Sequence, residues 1–268
     1  MTSGPDGPPA CHNCGAPLQG RFCADCGQED RPLDPSVGEV VREVAQEVSD
    51  LDGRIVRSVR RLFLSPGFLT LEYFAGRRVA WVSPVRLYLI FSVCYFGIVA
   101  LTGDAPFQVN LRFTGDSGED NTQAIQSLGF SSEAELDRAV NEALTTWIPR
   151  AMFVLVPFFG WLVASIRRRS GRRYPHHVIF ACHVFAVFFG VQAIAVALGY
   201  LSGNTVVTSA LAIASLLFSL VYTILAMRAV YGGTIARALG HTLVVLAFYW
   251  VATIVVAAAI IAPVLLAR

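Results

Sequence analysis

Hydrophobic and polar positions divide the chain into segments of different character. After a polar start, Val37, Val40, Val41, Val44, Val48 and Leu51 recur at helical spacing behind a capping box of Ser36 and Glu39, which predicts an amphipathic helix. From Gly53 the apolar positions become Ile55, Val56, Val59, Leu62 and Phe63, interleaved with Arg54, Arg57, Arg60 and Arg61. A basic face opposite an apolar face suits a helix in the headgroup layer, where arginine meets anionic lipid; the competing arrangement is a solvated basic face on a helix packed against protein. Phe68, Leu69, Leu71, Tyr73, Phe74 and Trp81 continue the apolar and aromatic load, so residues 36–83 read as amphipathic and interfacial helices, with Arg77 and Arg78 extending the basic surface.

Beyond residue 83 the apolar character stops alternating and becomes continuous. Five stretches are long enough at helical rise to cross hydrocarbon: 84–101, 148–166, 177–200, 206–227 and 242–266. Between the first two, residues 102–147 carry eight acids against two arginines. There Ser132 and Glu135 cap a short amphipathic helix bearing Leu136, Ala139, Val140, Ala143, Leu144 and Trp147, read as a small extracytoplasmic segment. The expected fold is an all-α integral membrane protein of about five transmembrane helices.

Composition agrees, since 54% hydrophobic content, 15% charged content and a mean hydropathy of +0.56 are too apolar for an ordinary soluble domain. The net charge of +2 averages unlike halves, because no Asp or Glu follows Glu142. Residues 1–10 form a Pro/Gly-rich polar tail, expected to be disordered, with no charged-then-apolar run and no cleavage site. A cytoplasmic amino terminus is therefore expected, and arginine agrees. Arg54 to Arg86, Arg167, Arg168, Arg169, Arg172, Arg173, Arg228 and Arg237 then fall inside, and only Arg112, Arg138, Arg150 and Arg268 outside. Five crossings place the carboxy terminus outside, and the bacterial inner membrane is the expected location.

The sharpest motif is CHNCGAPLQGRFCADCGQ, residues 11–28, which sets Cys11, Cys14, Cys23 and Cys26 as two C-x-x-C pairs. Each pair can form a knuckle whose thiolates share one metal, with Gly15 and Gly27 allowing the turn. Four sulfur ligands and no open position suit structural Zn2+ in a zinc ribbon; two disulfides are the alternative, disfavoured in a reducing cytoplasm.

Elsewhere, reactive chemistry is sparse. His176, His177, His183 and His241 lie at the cytoplasmic starts of the third and fifth spans, and His177, His183 and His241 form a possible polar cluster. Gathered imidazoles bind a transition metal or pass a proton, whereas scattered ones hold helices together by hydrogen bonds. The last four spans hold no carboxylate, which argues against proton or sodium coupling. There is no phosphate-binding Gly-rich loop with Lys, no G-x-S-x-G and no H-E-x-x-H. Arg21 alone among basic residues lies between the first and last ribbon cysteine, so nucleic acid is not an expected partner.

Several segments carry a resemblance: CGQ at Cys26–Gln28, LSPGFLTLEYFAGRRVAWVSPVRLYL, YPHHVIFACHVFAVFF and MRAVYGG. They resemble a bacterial family of uncharacterised zinc-ribbon multi-pass membrane proteins, labelled domain of unknown function three-six-six-seven. The resemblance implies the architecture and no activity. The expected role is a scaffold or binding protein, more a non-enzyme than an enzyme. It presents the ribbon and Arg54, Arg57, Arg60, Arg61, Arg77 and Arg78 to membrane lipids, another membrane or cytoplasmic protein, or a second copy. The contrasting expectations are a membrane enzyme or carrier using the histidines, and a channel for an uncharged or anionic solute.

Overall fold

The computed structural model describes residues 9–30, 53–102, 125–126 and 128–266. The tail and the helix expected over 36–51 lie almost wholly outside these residues. The main helices are α1 (Arg54–Leu64), α2 (Phe68–Phe74), α3 (Pro84–Thr102), α4 (Glu133–Ile166), α5 (Tyr174–Ser202), α6 (Thr205–Tyr231) and α7 (Ile235–Leu266). The last five are long and apolar enough to cross a membrane, so the chain is an all-α multi-pass membrane protein.

Helix α5 is the central post. Among the five spans it is buried along the largest share of its length, and α3, α4 and α6 all pack on it. Gly190 lets Phe63 and Phe91 reach its backbone; a Cβ there would stand 2.6 Å from Phe63 Cζ. Helix α7 lies outermost against α4 and α6, with Tyr249 edge-on to Phe159 at 5.6 Å.

The helix capped at Ser132 does not end before Ile148 as expected; it continues unbroken to Ile166. Ser132 Oγ accepts from Glu135 N at 3.2 Å, and Glu135 Oε2 accepts from Ser131 N at 2.9 Å, which fixes the start. The buried stripe Leu136, Val140, Leu144, Ile148 and Met152 then carries the helix straight across the predicted boundary. Pro149 and Pro157 lie within it, as prolines do in transmembrane helices whose neighbours hold them. The fifth span likewise starts earlier than expected, so His241 sits inside α7.

Helices α1 and α2 form a hairpin wedged against the bundle. The apolar face of α1 meets protein: Phe63 lies edge-on to Phe91 of α3 at 5.4 Å, and Leu62 is buried. Val56, expected on that face, stands 74% exposed beside the arginines. At the turn, Gly67 has φ +81°, and a Cβ there would meet Ala229 Cβ and Val230 Cγ2 of α6 at 3.0 Å. Tyr222 of α6 donates its hydroxyl to Leu62 O at 2.7 Å. In α2, Thr70 Oγ1 lies 2.9 Å from Nδ1 of His183, nine residues into α5 and so about 13 Å along it by helical rise.

Candidate metal centre and arginine platform

Residues 9–30 build one small unit twice. Cys11 N donates to Ala16 O at 2.8 Å and Gly15 N to Cys11 O at 2.9 Å; twelve residues on, Cys23 N donates to Gln28 O at 2.8 Å and Gly27 N to Cys23 O at 2.9 Å. Isolated bridges pair Ala10 with Pro17 and Phe22 with Glu29 in the same register. Gly15 and Gly27 both take positive φ, the turn each C-x-x-C-G knuckle requires.

The repetition brings four sulfurs together. The Sγ atoms of Cys11, Cys14, Cys23 and Cys26 all lie within 4.8 Å of one another, the one such group of three or more potential ligands among the described residues. Cys11 Sγ stands 3.6 Å from Cys26 Sγ, and Cys14 Sγ 3.6 Å from Cys23 Sγ. A disulfide needs about 2 Å. A tetrahedron with metal–sulfur bonds of about 2.3 Å has edges of about 3.8 Å, so the four cysteines can hold a metal ion. The Gln28 backbone N–H is the largest influence lowering the Cys26 thiol to about 7. Although the Ala16 backbone N–H lowers Cys14, desolvation and the neighbouring sulfurs push it up to about 12. Four thiolates at this spacing repel one another, and a dication removes the conflict.

The six arginines singled out in the sequence divide by what they touch. Arg54 Nη1 donates to Val79 O at 3.4 Å and Arg57 Nη2 to Ala80 O at 3.0 Å, strapping the 75–83 loop along α1. Arg77 pairs with Glu72 through Nε at 2.8 Å and through Nη2, and Glu72 also accepts from Trp81 Nε1 at 3.3 Å. The Arg77 hydrogen bond is the main cause holding the Glu72 carboxyl below its usual range. Arg78 lies over Tyr73 at 4.5 Å and Arg61 over Phe68 at 5.0 Å. Arg57, Arg60 and Arg61 remain exposed on one side of α1.

Ribbon and platform meet at Gln28. Gln28 Nε2 donates to Gly76 O at 2.8 Å, and Gln28 Oε1 accepts from Arg78 N at 3.2 Å. The signal lay in the repeat: Gln28 occupies the place that Ala16 holds in the first knuckle, and only the second knuckle has a side chain long enough to reach out.

The histidines take separate partners. His183 meets Thr70; His177 Nδ1 lies 2.8 Å from the Tyr231 hydroxyl, its ring stacked on that phenol at 5.5 Å. His241 Nδ1 is 3.2 Å from Arg167 Nη1, a donor without acceptor capacity, so Nδ1 accepts. His176 stands edge-on to Phe74 at 4.8 Å. Arg167 also donates to Tyr231 O, and Arg172 to Val230 O at 3.4 Å, so two cations satisfy the last carbonyls of α6.

Residues 52–96 match the model of a family described as Protein of unknown function (DUF3667). The matched stretch comprises α1, α2, the 75–83 loop and most of α3, the arginine platform itself. No curated protein and no solved structure matches the chain.

Proposed function

We propose that this protein is a membrane-embedded scaffold whose zinc ribbon and arginine platform form one binding surface for a protein partner or lipid headgroups. The observation that carries the reading is the pair of hydrogen bonds in which Gln28 donates to Gly76 O and accepts from Arg78 N, which joins the cysteine ribbon to the loop strapped by Arg54 and Arg57. Zinc is the proposed metal because a closed set of four thiolates suits tetrahedral structural zinc and leaves no open position for water. The platform end is proposed to face the cytoplasm of a bacterial cell, since Arg54 to Arg86, Arg167 to Arg173, Arg228 and Arg237 gather there and basic residues favour the inner side. The histidines are proposed as structural, since each already engages a different helix, loop or side chain.

In-cell photo-crosslinking tests the joint surface. A photoreactive residue at Phe22, 58% exposed on the ribbon, and another at Arg60 are each combined with Cys11→Ser/Cys23→Ser. The expected outcome is an adduct of the same mass from both positions, lost from both when the ribbon cannot hold metal. An adduct at Arg60 that persists unchanged in the cysteine variant would show that ribbon and platform act separately and would sink the proposal.

A further inference from the structure

The exposed side of α1 is one wall of a cleft of about 360 Å³ lined by Arg57, Arg60, Arg61, Leu64, Ser65 and Trp81. Spaced at i, i+3 and i+4, the three arginines project from one face of the helix. Among the described residues, none that lines the cleft is a carboxylate. Glu72, the nearby acid of α2, is engaged by Arg77 and Trp81 instead. Three guanidinium charges therefore face one space with no anion among the described residues that line it.

Two of those charges are already oriented. Arg57 is tethered to Ala80 O and lies 5.5 Å from the Trp81 ring centre, while Arg61 lies over Phe68. A guanidinium held on an aromatic face keeps its charge and has less side-chain freedom left to lose when an anion binds. The Arg60 side chain makes no hydrogen bond or ion pair with the described residues and can turn onto a ligand in the cleft it lines. Ser65, also in the lining, carries a hydroxyl that can serve as a neutral donor.

The surroundings narrow the anion to one with an apolar part. Leu64, in the lining, is 72% exposed, and Val56 on the same side of α1 is 74% exposed. Aliphatic side chains left open beside three arginines suit the boundary between headgroups and acyl chains, where both kinds of contact are met at once. Trp81 supplies the flat amphipathic ring typical of that boundary.

We propose that this cleft binds the phosphate of an anionic phospholipid, with Arg57, Arg60, Arg61 and Ser65 on the phosphate oxygens and Leu64 and Trp81 against the first methylenes of the lipid. This deepens the platform reading and rests on it, but it assigns a ligand class to a defined site.

The test is lipid titration of purified full-length protein in detergent, with bound lipid counted by native mass spectrometry. Dioleoylphosphatidylglycerol is compared with dioleoylphosphatidylcholine, and inorganic phosphate is run as a third probe. Wild type is expected to bind the glycerol lipid preferentially. Each arginine at a membrane surface contributes about fivefold, so Arg60→Gln/Arg61→Gln should weaken that binding by about 25-fold. The control Arg168→Gln/Arg169→Gln removes the same charge from exposed positions on the 3-10 turn that follows α4 and should leave binding within about twofold. Equal affinity for the two lipids, or an equal loss in the control, overturns the site. Inorganic phosphate that binds as tightly as the lipid overturns the lipid assignment. Failure of the wider platform reading is read separately, from crosslinks at Phe22 and Arg60 that ignore the state of the ribbon.

Discussion

Gln28 of the second knuckle grips Gly76 of the loop after α2 through a 2.8 Å hydrogen bond from Nε2 to the backbone carbonyl, and the amide is completed by Arg78 N at 3.2 Å. The same residue gives its backbone carbonyl to Cys23 N at 2.8 Å. Its side chain and its main chain thus serve two structures at once. A metal that orders the knuckle also orders the hand that holds the loop.

Metal removal should therefore be felt outside the ribbon. We expect one zinc per chain, lost on replacing Cys11 and Cys23 with serine, because closed thiolate sites bind by about 10 to 16 kcal/mol near neutral pH. Chelation should raise amide exchange in residues 9–30 and also in 75–80, with the spans unchanged. Gln28→Ala should keep the zinc and raise exchange in 75–80 alone, at about 1 kcal/mol per lost hydrogen bond. Exchange in 75–80 that is indifferent to both treatments would disprove the coupling.

Glu72 gives the platform a pH dependence of predictable sign. Its folded carboxyl lies below the ordinary value of 4.5, with the Arg77 hydrogen bond as the first cause, so its stabilisation is present above that value and lost as pH falls through the lower one. The Arg77 side chain is 43% exposed, and solvent screening limits the pair to about 1 kcal/mol. Detergent melting of wild type and Glu72→Gln should differ by a constant amount from about pH 7 to 5, and the difference should shrink as pH falls below 4.5. A difference that grows on acidification contradicts this assignment.

Gly67 tests how tightly the hairpin is wedged. An alanine there must accept φ +81°, which costs about 1–2 kcal/mol, and must also displace Ala229 or Val230. Gly171 has φ +70° with nothing within 4 Å of its Cβ position, so Gly171→Ala isolates the backbone cost. Gly67→Ala should lower the melting temperature distinctly more than Gly171→Ala. Equal losses would mean that the turn does not bear on α6.

His183 is expected to act through Thr70. His183→Gln retains a polar partner for the buried hydroxyl and should change stability little, whereas His183→Leu strands Thr70 and should cost about 0.6 to 2 kcal/mol. Copper, iron, manganese and zinc counted per chain should match wild type in both. Loss of a second metal from either variant would restore the histidine-based enzyme or carrier reading.

Sequence alone determined the elements whose cause is local. Apolar runs long enough to cross hydrocarbon set five spans, and two C-x-x-C-G turns in one register set the ribbon, because both signals are read from neighbouring residues in the chain. The Ser132 cap was equally legible, but not the end of its helix, since the decision to run through Pro149 belongs to the neighbours that bury Leu144, Ile148 and Met152. Likewise the alternation of arginine and aliphatic residues in α1 established two faces without saying what covers the apolar one. Only the tertiary structure set Phe63 on Gly190, Thr70 on His183 and Gln28 on Gly76, separated by 127, 113 and 48 positions. Such pairings depend on how the helices and the ribbon settle against one another, and no periodicity in the chain encodes which distant backbone or imidazole a given side chain will meet. The histidines illustrate the same point: their spacing allowed a cluster, and the packing of α2, α6 and Arg167 against the bundle gave each its own partner.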